Sequence, residues 1–261
     1  MTDFTHTTLK AVNKPTHRLG LALNYGLDAD GLAAAIDRGV TYFFFQRFKA
    51  GYAVPVLKDA LRRDRERFIL AGGPSLAFFG GSVRRGCEAL LRTFGTDYLD
   101  VFQLFWLSKM SAWTDGTVEA LVRLKEEGKV RSIDVSIHDR PRAGRLAEAS
   151  PLDVFMIRYN AAHPGAEADI FPHLEKRKPA VVAYTATAWR RLLSSPKGWT
   201  GPTMTAGDCY RFCLSNPHVD LVLQGPASAA QLDENLRAVE RGPLSPDELA
   251  WMREYGRLVH G

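Results

Sequence analysis

The sequence predicts an α/β fold, a (β/α)₈ TIM barrel with one extra helix at its C-terminal end. Two observations predict it. From Arg18 onward, short apolar runs alternate with amphipathic stretches of helical length, eight times in succession, and such alternation calls for parallel strands joined by crossover helices. The clearest unit is Gly95 to Trp106, GTDYLDVFQLFW, where a helical pattern ends at a glycine and gives way to the apolar run Leu99, Val101, Phe102 and Leu104. That is the composition of a strand buried on both faces. A chain of 261 residues, 46% of them hydrophobic, can bury such a barrel as one domain over residues 1–261 without a linker.

Each element has a local justification. Arg18 to Leu23 is the first strand, and Asp28 caps a helix that stops before Gly39. Val40 to Phe45 is the second strand, and Pro55 suits the first turn of the next helix. Arg67 to Ala71 follows as the third strand, with its helix starting at Ser82. After the fourth strand, Thr117 is the expected cap of a helix that Gly128 closes. Val130 to Ser136 is the fifth strand, Pro141 to Ala149 a short helix, Leu152 to Ile157 the sixth strand, and Ala166 to Lys176 a helix. Ala180 to Tyr184 is the seventh strand, and the longest irregular stretch, Thr185 to Pro202, follows it. Thr205 to Leu214, Val219 to Leu223 and Ser228 to Arg241 complete the eight units. Ser245-Pro246-Asp247-Glu248 is a capping box with proline in the first turn, so a last helix is expected to run to about Val259 and to pack across the barrel. In this architecture the ligand site lies at the C-terminal ends of the strands.

Bulk properties narrow the function. The formal charge of +5 is spread over short clusters such as Arg62-Arg63, Lys176-Arg177-Lys178 and Arg190-Arg191. That pattern fits a solvated surface, tolerates a phosphate-bearing ligand, and supplies no nucleic-acid motif. The start, MTDFTHTTLK, lacks a basic segment followed by an apolar one, and no apolar run is long enough to span a bilayer. A cytoplasmic protein with a small-molecule ligand, and neither nucleic acid nor membrane as partner, is therefore expected. Three cysteines make no disulfide framework, and Cys209 and Cys213 lack a companion pair at metal-ligand spacing. No metal site is expected.

The ordered motifs resemble the aldo-keto reductase family. Ala35 to Val40 resembles its first helix and turn, the GTDYLD stretch its turn into the fourth strand, and Glu127-Gly128-Lys129-Val130-Arg131 its "EGKVR" turn. Tyr159-Asn160 looks like the pair after its sixth strand. Gly225 to Ser228, Gln231-Leu232 and Glu234-Asn235 look like its C-terminal cofactor segment. The resemblance implies a carbonyl-reducing oxidoreductase using NADP(H) or NAD(H). Its catalytic aspartate, tyrosine, lysine and histidine fall on Phe44, Lys49, Gly73 and Phe105, so none of the four is present. A serine-asparagine pair that grips the nicotinamide reads Ser136-Ile137, and a glutamine reads Met156, neither apolar chain being able to bond an amide. Tyr184 matches the tyrosine that stacks on the nicotinamide, and Ser228, Glu234 and Asn235 match the adenine-phosphate end. Gln231 stands where many members carry an arginine for the 2′-phosphate.

Several residues could act in place of the missing four. A loop shift could bring Tyr52 to the tyrosine position. Lys49, if it faced the aromatic mouth where Phe43, Phe44, Phe45, Phe105 and Trp106 are expected to gather, would have its pKa lowered and could serve as base or Schiff-base amine; from a loop it would instead snorkel to solvent. His138 can transfer a proton, and the neighbouring Asp139 either orients it or caps the Pro141 helix. Arg158 can clamp a carboxylate or phosphate, or pair with an acidic neighbour. His163 suits a structural role. Gly72-Gly73-Pro74 and Gly80-Gly81-Ser82 bracket a loop over the mouth without completing a phosphate loop. Three functions stay open: a divergent nicotinamide-dependent oxidoreductase, a lyase, isomerase or cyclase using the aromatic mouth, and a non-catalytic ligand-binding or regulatory protein.

Overall fold

The computed structural model describes residues 3–260. Two short strands, β1 (His6–Leu9) and β2 (Lys14–His17), pair antiparallel, which no periodicity in so few residues marks. Eight parallel strands then close into a barrel: β3 (Leu19–Ala22), β4 (Tyr42–Phe45), β5 (Ile69–Gly72), β6 (Leu99–Leu104), β7 (Val130–Ile137), β8 (Val154–Arg158), β9 (Ala180–Tyr184) and β10 (Leu221–Gln224), with β10 back against β3. Between them run α1 (Ala29–Asp37), α2 (Ala53–Arg63), α3 (Gly80–Phe94), α4 (Asp115–Glu126), α5 (Arg140–Ala149), α6 (Ala166–Asp169), α7 (Ala206–Ser215) and α8 (Ala229–Glu240), followed by α9 (Pro246–His260). The eightfold alternation legible in the sequence is thus the architecture of the molecule.

Local chemistry sets the boundaries. Asp28 caps α1 by accepting from the Gly31 amide, and Asp139 caps α5 by accepting from the Arg142 amide. Gly95 ends α3 in the left-handed region at φ 63°, where a Cβ would be strained. Two expectations need correction. The cap of α4 is Thr114, and Thr117 sits at the third helical position, its hydroxyl bonded to the Thr114 amide; either threonine fits a cap in sequence, and reciprocal pairing selects the earlier one. The helix expected over Ala166 to Lys176 is one turn, α6, followed by a 3-10 turn at Phe171–His173. Pro172 has no amide hydrogen and its ring would meet the carbonyl four residues back, so an α-helix cannot pass it. The last helix, α9, packs against the loops after β8 and β9: Tyr255 donates to the Ser194 carbonyl at 2.8 Å, and Arg253 pairs with Glu167.

Alternate residues on each strand divide the core. Phe43, Phe45, Phe102, Leu104, Ile133 and Val135 face the helices, whereas Tyr42, Phe44, Ile69, Ala71, Val101 and Phe105 fill the barrel; Phe43 and Phe45, expected at the mouth, are turned away from it because strand alternation sends the neighbours of Phe44 to the opposite face. Leu9 of the hairpin joins that inner cluster and closes the N-terminal end. Lys14 anchors it there, its ammonium 2.9 Å from the fully buried Asp100, which also takes Arg65 at 2.7 Å and the Leu70 amide at 2.9 Å. The opposite end is left for function.

Candidate functional site

The register of the last strands decides which side chains meet at the C-terminal end. Ser136 on β7 lies opposite Met156 on β8, which lies opposite Val182 on β9; two residues further, Arg158 lies opposite Tyr184. Met156, Val182 and Tyr184 belong to the inner cluster, so strand alternation turns His138, Arg158 and Tyr184 toward the barrel axis as one layer. The Tyr184 hydroxyl is 2.8 Å from His138 Nε2, and the Trp106 ring centre lies 5.5 Å from that of His138. Trp106 is 46% exposed and sits in the left-handed region at φ 38°, a strained backbone for a bulky residue, held by its amide donating to the Ser136 hydroxyl at 2.7 Å.

Burial shapes the electrostatics of this layer. His138 is held below its ordinary pKa by burial and then by the charge of Arg158, so it is mostly neutral at pH 7. Tyr184 is pushed well above the usual phenol range by burial, against a lowering by Arg158. Arg158, half-buried, has no ion pair among the described residues, contrary to one of the two expectations for it.

From this layer a cavity of about 690 Å³ runs between β9, β10 and β3 to the start of α8. Ser136, Met156 and Tyr184 line its inner end, and Gln231, Glu234 and Asn235 its outer end. Three polar atoms on its lining residues, Asn24 Oδ1, Gln103 Oε1 and Gln224 Nε2, are buried without a partner among the described residues. Two acceptors and a donor are thus left for a polar ligand.

The other candidates fall into place around it. Phe44 and Phe105 meet edge to face at 5.7 Å inside the mouth. A Cβ built on Gly73 would lie 1.8 Å from the Gln103 carbonyl oxygen, so this position admits no side chain without a backbone shift. Lys49 is exposed, with its ammonium 5.3 Å above the Phe48 ring, and it does not line the cavity. Tyr52 donates its hydroxyl to the Leu23 carbonyl at 2.9 Å, and burial pushes its pKa up to about 12; the structure brings neither residue to the His138 layer. Ser228 caps α8 by accepting from the Gln231 amide, while the Gln231 side chain accepts from the Ala227 amide at 2.9 Å, so both shape the turn into the helix. Asn235 donates to Gln224 at 3.0 Å. His163 bonds Asn160 at 3.0 Å, and Asn160 in turn donates to the Thr185 carbonyl, tying together the loops after β8 and β9. No group of side chains able to hold a metal occurs among the described residues.

Sequence reasoning missed the cavity floor. Asp134, fully buried, takes the Gln103 amide at 2.5 Å and the Met156 backbone amide at 3.1 Å. Burial raises its pKa to about 7. The signal was present in Ser132, Asp134 and Ser136, three polar residues alternating with Ile133, Val135 and Ile137 on a strand whose other charged residue, Arg131, is exposed at its start.

Comparison with known proteins bears on the fold and the family. The chain is 28% identical over 187 residues to methylglyoxal reductase YeaE of Escherichia coli, covering 69% of this chain and 65% of that protein. It is 23% identical to aldo-keto reductase YhdN of Bacillus subtilis, spanning half of that protein's length. Among solved structures, an aldo/keto reductase from Klebsiella pneumoniae in complex with NADP and acetate superposes with a TM-score of 0.76 at 27% identity, over 94% of this chain and 93% of that one. Aldo-keto reductase AKR11C1 from Bacillus halodurans shares the fold, with a TM-score of 0.81 at 20% identity and 96% coverage of both chains. The sequence profile of the aldo/keto reductase family matches residues 30–195, and with the closed barrel and these relatives it identifies the chain as a member of that family of oxidoreductases.

Proposed function

We propose that the chain is a nicotinamide-dinucleotide-dependent oxidoreductase whose proton-transfer centre is the Tyr184–His138 pair, standing in for a tetrad whose positions read Phe44, Lys49, Gly73 and Phe105. The observation that carries this reading is the continuous cavity from Tyr184 and Ser136 at the barrel mouth to Gln231, Glu234 and Asn235 in α8. Its volume suits a cofactor, and the relative from K. pneumoniae binds NADP.

The residues present fit such a group. Asn24 Oδ1 and Gln103 Oε1 offer acceptors and Gln224 Nε2 a donor, while Ser136 keeps its hydroxyl hydrogen free because its oxygen accepts from Trp106. Bound reduced nicotinamide would supply a hydride to a carbonyl carbon. Phe44, Phe105 and Met156 exclude water from the inner end. The oxygen that gains charge takes its proton from the Tyr184 hydroxyl, and neutral His138, 2.8 Å away, in the tautomer that carries its hydrogen on Nε2, donates to the phenol oxygen, leaving the hydroxyl hydrogen for the substrate and stabilising the phenolate that remains. Lys49 and Tyr52, turned away from this layer, take no part. With Gln231 at the outer end, no arginine is available at that position for a 2′-phosphate, and the two cofactors are expected to bind with similar affinity.

The test is a titration of the purified protein with NADPH and with NADH, following tryptophan quenching and reduced-nicotinamide emission. Micromolar binding of either is the expected outcome. Absence of binding of both at millimolar concentration would overturn the reading.

A further inference from the structure

Arg158 is left over by the chemistry above. It ends β8 opposite Tyr184 of β9, and strand alternation turns it toward the barrel axis, where its charge acts on His138, the residue just after β7. It lies outside the cavity, which Tyr184 lines, so it belongs to the far side of the mouth. The acids near this corner are all engaged elsewhere. Asp139 caps α5, Asp169 takes Arg140 at 2.8 Å, and Glu167 takes Arg253 at 2.8 Å and the Tyr159 hydroxyl at 2.6 Å. A half-buried guanidinium has lost part of its hydration, and a charged acceptor compensates that loss best.

We propose that this corner is a carboxylate subsite, in which Arg158 holds a carboxylate carried by the substrate while Trp106 and His138 form its walls. The planar guanidinium fork matches one carboxylate group, whatever the far end of the ligand carries. A phosphate dianion would need further donors, and the one helix N-terminus at this corner, that of α5, already holds the Asp139 carboxylate. The strained, exposed Trp106 gives the subsite an apolar face next to the charge. The charge of Arg158 is felt across the corner, where it adds to burial, the larger cause, in holding His138 and His163 below their ordinary pKa. Calling the anion a substrate rests on the cofactor reading; the subsite itself does not.

Calorimetric titration with succinate, with neutral succinamide and with inorganic phosphate tests it, on the full chain with and without NADPH. Saturable succinate binding is expected, at least tenfold weaker in Arg158→Gln and partly recovered in Arg158→Lys, with succinamide silent and NADPH affinity within about twofold of wild type. Equal succinate binding by Arg158→Gln, no succinate binding by the wild-type chain, or preference for phosphate would each overturn the subsite. Arg158-dependent succinate binding by a chain that binds neither cofactor would uphold the subsite and retract the redox reading.

Discussion

His138 and Tyr184 share a hydrogen bond of 2.8 Å, and proton transfer through it is open to a test that separates chemistry from binding. Tyr184→Phe keeps the ring against the cavity and removes the donor, so turnover of a carbonyl substrate is expected to fall on the order of a hundredfold, with cofactor affinity changed only a few-fold. His138→Gln should reduce turnover less, because an amide can still orient the hydroxyl but cannot tune it. Unchanged turnover in Tyr184→Phe would rule the pair out. At this scale the sequence was informative about identity and silent about company. His138, Arg158 and Tyr184 were each legible as polar residues ending a strand, yet nothing local says that they share a layer. Lys49 and Tyr52 looked equally suitable on paper, and a left-handed backbone at Lys49, φ 58°, with a loop that turns the ammonium onto Phe48, removes it from the mouth.

Among elements, the hairpin of β1 and β2 depends on the barrel more than on its own pairing. Its fixed point is the Lys14 ammonium against Asp100, shared with Arg65 and the Leu70 amide. Asp100→Asn removes the charge that buried Lys14 and partly buried Arg65 face, and a loss of about 3–5 kcal/mol is expected, because breaking one side of a buried pair leaves the other uncompensated. Urea unfolding of the variant measures it, and a loss under about 1 kcal/mol would mean that solvent reaches this end of the barrel. Capping residues such as Asp28 and Asp139 were readable from sequence because a cap is a contact over three residues. The hairpin was not, because its stabilising contacts reach across the molecule. The helix after β8 shows the opposite case: Pro172 was visible and should have stopped the expectation of a long helix.

For the molecule as a whole, the barrel interior carries a carboxyl, Asp134, whose ionisation opposes folding. Asp134 holds its proton to about 7 in the folded chain, against an ordinary value of 3.8. Between these values the folded state binds more protons than the unfolded one, so this group makes stability fall as pH rises from about 4 to 7 and leaves it level above. Asp134→Asn cannot ionise and should lose that component. Urea midpoints at pH 5 and pH 8 are expected to differ less in the variant than in the wild-type chain; an equal difference in both would show that Asp134 ionises freely in the folded state.

The sequence by itself determined the barrel, its strand and helix order, and its family, because alternation, caps and turn glycines are local and repeat with the period of the element they specify. It also determined that Phe44, Gly73 and Phe105 bring no acid or base to the mouth. Tertiary structure alone decided that Tyr184, read as a cofactor contact, meets His138, that Arg158 lacks an acidic partner among the described residues, and that Asp134 lies under the cavity floor. Those outcomes depend on the register of parallel strands, which barrel closure fixes between residues far apart in the chain, and on burial, which turns ordinary polar side chains into shifted or unpaired ones.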